Sequence, residues 1–217
     1  LVAAIIGATI LINTVGYVQG VLQLDKLEYG WTMASFGLGA SLAAVGLGFI
    51  KQTRSKLPLI TFGAVLISLA IIPASWVGLN TLLFLWLLAG VGQTFINLPT
   101  QVLIAERVDV NIQGRVYGAH FAWSHFWWAI AYPLTGWMGS NFPLAVFFNS
   151  SLIGLAVLGG AYVVLRPSRQ QRAIRGKWHD HEHTHDEGDH HGYYGHRCRD
   201  VQPAVGASHH HLHFHDA

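Results

Sequence analysis

Six long apolar stretches occupy most of this 217-residue chain. The hydrocarbon core of a bilayer is about 30 Å thick, so a helix that crosses it needs about 20 mainly apolar residues. Glycine and proline interrupt the stretches no more than membrane helices tolerate. The stretches are 1–22, 31–50, 57–77, 81–104, 116–138 and 143–165. The sequence therefore predicts an all-α membrane protein with six transmembrane helices, because a cleaved signal peptide cannot account for six such runs.

The chain has a second part of different composition. Only 11% of all residues are charged, against about 25% in an ordinary soluble domain, and the charges concentrate after the last apolar run. All 14 histidines except His120 and His125 follow residue 178. We therefore predict a six-helix transmembrane part at 1–165 and a histidine-rich tail at 166–217. The tail has too few apolar residues for a core, so we expect it to be disordered.

Lysine and arginine indicate the orientation of the helices, because cytoplasmic loops retain positive charge. Basic residues lie in the loops at 51–56 and 105–115 and directly after residue 165, whereas the opposite loops contain only Lys26. We expect a multi-pass protein of the cell (inner) membrane with both ends of this chain, including the tail, in the cytoplasm. The basic run after the last helix is explained by this orientation, so we expect no nucleic-acid partner.

Polar side chains within the apolar stretches are candidates for a transport path, because they are costly near the bilayer midplane. The candidates are Asn13, Gln93, Asn97, His120 and His125. The two residues of the fourth stretch are four apart and share a helix face. The three amides equally suit hydrogen bonds between helices, and that alternative stays open. The two histidines lie about 140° apart around a helix, so they do not form one ligand face.

The acidic residues of the membrane part do not fit one class of metal exporter. Asp25, Glu28, Glu106 and Asp109 all fall in predicted loops. Cation-diffusion zinc exporters also combine six helices with histidine-rich segments, but they place aspartates and histidines at helical spacing inside the membrane. This sequence has no such pattern, which argues against that class.

Histidine alternates with acidic residues in the tail segment WHDHEHTHDEGDHH and returns in HHHLHFH. Neutral imidazole binds zinc, copper and nickel, and interleaved carboxylates add oxygen ligands. An affinity tag explains the pattern less well, because the histidines are spread over many spacings. We predict that the tail binds a transition metal ion, namely nickel, cobalt or zinc. The predicted ligands are His179, His181, His183, His185, His190, His191, His196, His209, His210, His211, His213 and His215.

Two segments resemble a known family. The segment GLGFIKQTRSK at 46–56 resembles a degenerate copy, without the aspartate, of the basic loop between the second and third helices of a half of a major facilitator superfamily transporter. The segments LPTQ at 98–101 and QGRVYG at 113–118 resemble the end of the tenth helix and the start of the eleventh in that superfamily. Together with the tail, they make the chain similar to the bacterial nickel-resistance permeases of the superfamily.

The resemblance implies that the six helices are the C-terminal half of a twelve-helix fold whose halves are repeats. Because the chain begins at Leu1 within an apolar run, we expect that an N-terminal half is missing and is a partner of this one. In that family the first, second, fourth and fifth helices of each half line the cavity. The other expected partners are the lipid bilayer, a divalent metal ion and protons.

The function that follows is export of a divalent transition metal, nickel or cobalt, by proton antiport, which confers metal resistance. His125 is the leading candidate for proton or metal contact. We expect no catalytic residue, no required cofactor and no enzymatic activity. Two alternatives stay open: an exporter of drugs or metabolites with a metal-binding regulatory tail, and a membrane-anchored metal buffer.

Overall fold

The computed structural model divides the chain into two compact units, Leu1–Tyr162 and Val163–Ala217. It describes residues 1–49 and 56–164, and the backbone of 177–184 and 208–215. The basic loop residues 51–55 and the predicted ligands His185, His190, His191 and His196 lie outside the described residues.

Six helices form the first unit, as the sequence predicts. Helix α1 continues into a π-helical turn, and α3 continues into a 3-10 turn. The elements are α1 Val2–Val15 with the turn Gly16–Val21, α2 Lys26–Gly48, α3 Leu57–Ile71 with the turn Ile72–Trp76, α4 Leu79–Arg107, α5 Gln113–Asn141 and α6 Val146–Val164. The prediction of an all-α membrane fold is confirmed.

Five of the helices are long and apolar enough to cross a membrane. Helix α5 is the exception among the six, although its 29 residues correspond to a length of about 43 Å. Its histidines, tryptophans and glycines lower its mean hydropathy without shortening it. Helix α5 therefore reaches across a bilayer core by its length, and it is the most polar member of the bundle.

Helix α2 begins five residues before its predicted start. Asp25 and Glu28 form a capping box, in which the backbone N–H of Asp25 donates to Glu28 Oε2 at 3.0 Å. Glu28 therefore lies in the first turn of α2, and Glu106 lies in the last turn of α4, whereas both were expected in loops. Both carboxylates therefore lie at helix ends, where water or headgroups solvate them.

Glycines bring α2 and α3 into backbone contact with α4. A Cβ atom added at Gly39 of α2 or at Gly90 of α4 would overlap a carbonyl oxygen of the other helix. A Cβ atom added at Gly92 would lie 2.8 Å from the carbonyl oxygen of Gly63 on α3. Because lipid tails are as apolar as the helices, close van der Waals contact of this kind holds membrane helices together.

The large buried side chains lie between α1, α3, α4 and α6. Trp86 of α4 and Phe147 of α6 are fully buried, and their rings meet edge to face with centroids 5.3 Å apart. Such edge-to-face pairs contribute about 0.5–1.5 kcal/mol beyond the burial of their area. Ile6 and Ile10 of α1 complete this cluster. The core thus joins the first and last helices of the bundle, α1 and α6, to α3 and α4.

Two antiparallel strands are described in the second unit. They are β1 Lys177–Thr184 and β2 Ser208–His215, paired from Lys177 opposite His215 to Thr184 opposite Ser208. This corrects the expectation of a disordered tail for these two segments. The two segments are equally long and pair over their whole length, and composition, on which the expectation rested, does not reveal such backbone pairing.

We predict that Gly90→Ala destabilises the bundle, whereas Gly37→Ala does not. The added methyl meets a carbonyl of α2 at Gly90, while nothing lies within 4 Å of a Cβ atom at Gly37. Overpacking of this kind costs about 1–3 kcal/mol. The measurement is the thermal unfolding midpoint of the detergent-solubilised protein, followed by tryptophan fluorescence. Equal midpoints for the two variants would contradict the contact between α2 and α4.

Candidate functional site

Asn13 joins α1 to α5. Its side chain is buried, and its Nδ2 donates to the carbonyl oxygen of Thr135 at 3.1 Å. Its Oδ1 lies against Gly139, where a Cβ atom would overlap it. Of the two roles that the sequence leaves open for Asn13, this geometry is that of a hydrogen bond between helices.

Gln93 lies where α1, α4 and α5 meet. Its Oε1 is buried and has no hydrogen-bond partner among the described residues. It lies 3.5 Å from the position of a Cβ atom at Gly7 on α1, and Trp128 of α5 approaches the same position to 2.5 Å. A buried acceptor without a partner costs about 1–3 kcal/mol. Native structures contain few such groups, so the Gln93 oxygen is a candidate for contact with a ligand.

Asn97 follows Gln93 on the same face of α4 but differs from it in burial. The Asn97 side chain is exposed, whereas Gln93 is half-buried. The predicted shared face is therefore present, and it runs from the junction of three helices to an open surface.

The two histidines of α5 have different surroundings. His120 is half-buried, whereas His125 is exposed and its ring stacks on Phe121 with centroids 3.7 Å apart. His125 Nδ1 lies 2.9 Å from the carbonyl oxygen of Phe121 and 3.2 Å from Ser124 Oγ. A carbonyl oxygen only accepts, so Nδ1 carries the hydrogen and Nε2 keeps its lone pair. Nε2 is therefore the atom of His125 that can take a proton or a metal ion.

The structure does not gather these residues into one ligand cluster. Among the side chains that it describes, in residues 1–49 and 56–164, no group of three or more His, Cys, Asp or Glu is placed to hold a metal ion. On an ideal helix His125 lies about 80° around α5 from Thr135, which contacts Asn13. Asn13 and Gln93 therefore lie at helix junctions, while His125 and Asn97 lie on open surfaces.

Three side chains on one face of α1 and its π-helical turn form hydrogen bonds that the sequence did not predict. Thr9, Asn13 and Tyr17 are four residues apart, and each bonds to a different part of the bundle. Thr9 Oγ1 donates to Ser150 Oγ of α6 at 2.8 Å, and the Tyr17 hydroxyl donates to the carbonyl oxygen of Val77 at 2.9 Å. The spacing of four was the signal, because it places all three residues on one helix face.

An ion pair lies at the end of the bundle where the basic loop enters α3. Lys56 Nζ lies 3.3 Å from Glu106 Oε1, which joins the start of α3 to the end of α4. The Lys56 side chain is mostly buried at 13% exposure, while Glu106 is more open at 38%. Lys56 is the last residue of the segment 46–56 that resembles the basic loop of the superfamily.

The family model of the Major Facilitator Superfamily matches residues 1–197 of this chain. The chain belongs to this superfamily. Membership places this major facilitator protein among the secondary transporters, which are membrane proteins and not enzymes, and it agrees with the multi-pass helical fold. A search of curated proteins and a search of solved structures give no match.

We predict opposite effects on stability for leucine at Gln93 and at Asn13. Gln93→Leu removes a buried acceptor without a partner, so the unfolding midpoint is expected to stay or rise. Asn13→Leu removes the bond to Thr135 and is expected to cost about 0.6–2 kcal/mol. Thermal unfolding in detergent measures both, each beside the wild type. A midpoint lowered as much by Gln93→Leu as by Asn13→Leu would mean that Gln93 is a structural residue.

Proposed function

We propose that this major facilitator protein exports a divalent transition metal ion, nickel or else cobalt, from the cytoplasm in exchange for protons. The observation that carries the metal assignment is the tail, which holds all but two of the 14 histidines. The resemblance to nickel-resistance permeases supports nickel as the cargo, export as the direction and metal resistance as the outcome.

Proton exchange is proposed because export of a divalent cation works against the membrane potential. Moving two charges outward against an inside-negative potential costs about 4.6 kcal/mol per 100 mV, twice the cost for one charge. Exchange of one ion for two protons moves no net charge and removes this cost. The proposal therefore needs a group in the membrane that binds a proton near neutral pH.

His125 supplies that group in the proposal. His120 and His125 are the only histidines of the described helices, and imidazole is the side chain that exchanges protons near neutral pH. His125 is exposed, and the bond of Nδ1 to Phe121 leaves Nε2 available. The amide oxygens of Gln93 and Asn97 are further candidate contacts, because nickel accepts both nitrogen and oxygen ligands.

The proposal places the helices in the inner membrane with the tail in the cytoplasm, where it captures, senses or buffers the metal. It also pairs these six helices with an N-terminal half of the same transporter. Large apolar side chains along α2 support this pairing, because they are exposed in the six-helix bundle. They are Trp31, Leu38, Leu42 and Val45, with Phe49 directly after the helix.

A second candidate is export of an organic compound, with the tail as a metal-binding regulator. Exposed aromatic side chains on α5 favour it, because aromatic surfaces are typical of sites for organic ligands. They are Phe121, Trp123, Phe126 and Trp137. Nickel accumulation unchanged by expression, together with altered resistance to an organic compound, would favour this candidate.

Nickel accumulation in metal-loaded cells tests the first proposal. We expect cells that express the full gene to hold less nickel than cells with empty vector, and His125→Ala to abolish the difference. His120→Ala tests the second candidate histidine of the same helix, which is half-buried. Truncation after Arg166 measures the contribution of the tail. Equal nickel in wild-type and empty-vector cells would rule out nickel as the cargo.

The pH dependence gives a further check on proton exchange. In inside-out membrane vesicles, acidifying the lumen is expected to increase nickel uptake by the wild type, because protons then leave as nickel enters. His125→Ala is expected to lose this stimulation. Uptake that is indifferent to the proton gradient in the wild type would contradict antiport.

A further inference from the structure

The register of the tail strands places histidine opposite histidine at three consecutive positions of one face. The pairs are His179 with His213, His181 with His211, and His183 with His209. The sequence alone treats twelve tail histidines as equivalent ligands. The strand pairing separates them into groups.

Alternate residues of a strand belong to the same face of a sheet. The three histidine pairs occupy alternate positions of β1 and β2, so they share one face of this two-stranded sheet. We call the paired strands β1 and β2 the hairpin. His210 pairs with Glu182 and belongs to the opposite face, although it is the middle residue of a run of three histidines. Lys177, opposite His215, ends the histidine face at one side, and its positive charge disfavours a cation there.

The backbone spacing brings two neighbouring histidine pairs close enough together to form one site. Directly opposite residues of an antiparallel pair have Cβ atoms about 4.5–5.5 Å apart, and the next pair on the same face lies two residues along, about 7 Å away. Two consecutive pairs therefore bring four histidine positions into one patch, the number of ligands in a tetrahedral zinc site. The pair His181 and His211 belongs to both patches that the three pairs can form.

We propose that the histidine face of this hairpin is a site for one divalent transition metal ion of the zinc and nickel class, centred on the pair His181 and His211. For its biological use the site rests on the proposed function, which it deepens by naming the part of the tail that binds metal. A two-stranded hairpin alone is marginally stable in water, so a bound ion stabilises the strand pairing. Binding requires neutral imidazole, so acidification releases the ion.

Metal titration of the purified full chain in detergent tests the site, with zinc and nickel in competition with a chromophoric chelator. The double variant His181→Ala/His211→Ala removes the central pair. Asp180→Ala/Leu212→Ala is the control, because the register places this pair on the opposite face of the same two strands. Losing an outer-shell partner of a metal ligand already costs about 10- to 100-fold in affinity, so losing the central pair is expected to cost at least about 100-fold. The control is expected to retain the wild-type affinity.

Single variants test the face assignment independently of the number of histidines. His211→Ala is expected to weaken the tightest site, and His210→Ala is expected to leave it unchanged, although the two residues are neighbours in the sequence. An equal loss of metal affinity in the two single variants, or in the two double variants, would overturn the hairpin site in favour of diffuse binding by the tail. No zinc or nickel binding by the wild type would also overturn it. Nickel accumulation by the central-pair variant is measured separately, so failure of the hairpin site and failure of metal export are distinguishable.

Discussion

The hydrogen bonds that α1 makes to its neighbours are the interaction on which the membrane unit depends. In lipid there is no hydrophobic force between apolar helices, so association rests on close packing and polar contacts. Thr9, Asn13 and Tyr17 tie α1 to α6, to α5 and to the segment after α3. Thr14 adds a fourth contact, because its Oγ1 accepts from Trp86 Nε1 at 3.1 Å. Helix α1 thus holds together parts of the chain that are far apart in sequence.

The bundle combines two kinds of helix contact. Helices α2, α3 and α4 meet through Gly39, Gly63, Gly90 and Gly92, which allow backbone to touch backbone and leave little room for movement. Helices α1 and α5 meet through the hydrogen bond of Asn13, which contributes about 0.6–2 kcal/mol in a membrane, and through an apolar cluster of Ala4, Ile5, Ala8 and Ala131. Gln93 lies where α1, α4 and α5 meet, whereas His125 lies on an open surface of α5.

The polar side chains of the membrane unit form two groups. Some have hydrogen-bond partners inside the unit, and others have bonding capacity that is not used there. Asn13 and Thr14 are buried and hydrogen-bonded, so the free-energy cost of burying their polar groups is offset by bonds within the bundle. Gln93 Oε1 is buried without a partner, and His125 directs one nitrogen to its own helix and keeps the other available. Unused bonding capacity in an apolar setting is costly, and both residues carry it, as does Ser75 Oγ in the turn after α3. Gln93 and His125, rather than Asn13, therefore come first among the proposed cargo contacts.

The sequence by itself determined the six helices, their approximate limits and the separation of a histidine-rich tail, because helix length and hydropathy are local properties that the bilayer constrains strongly. It also named all five polar candidates in the helices. It did not separate Asn13 from Gln93, since both are amides in apolar helices and only the packing of α1, α4 and α5 shows which one is bonded. Nor did it distinguish His210 from His211, because the face of a strand residue is set by register with a distant segment. Those distinctions depend on contacts between residues far apart in the chain, which only the tertiary structure decided.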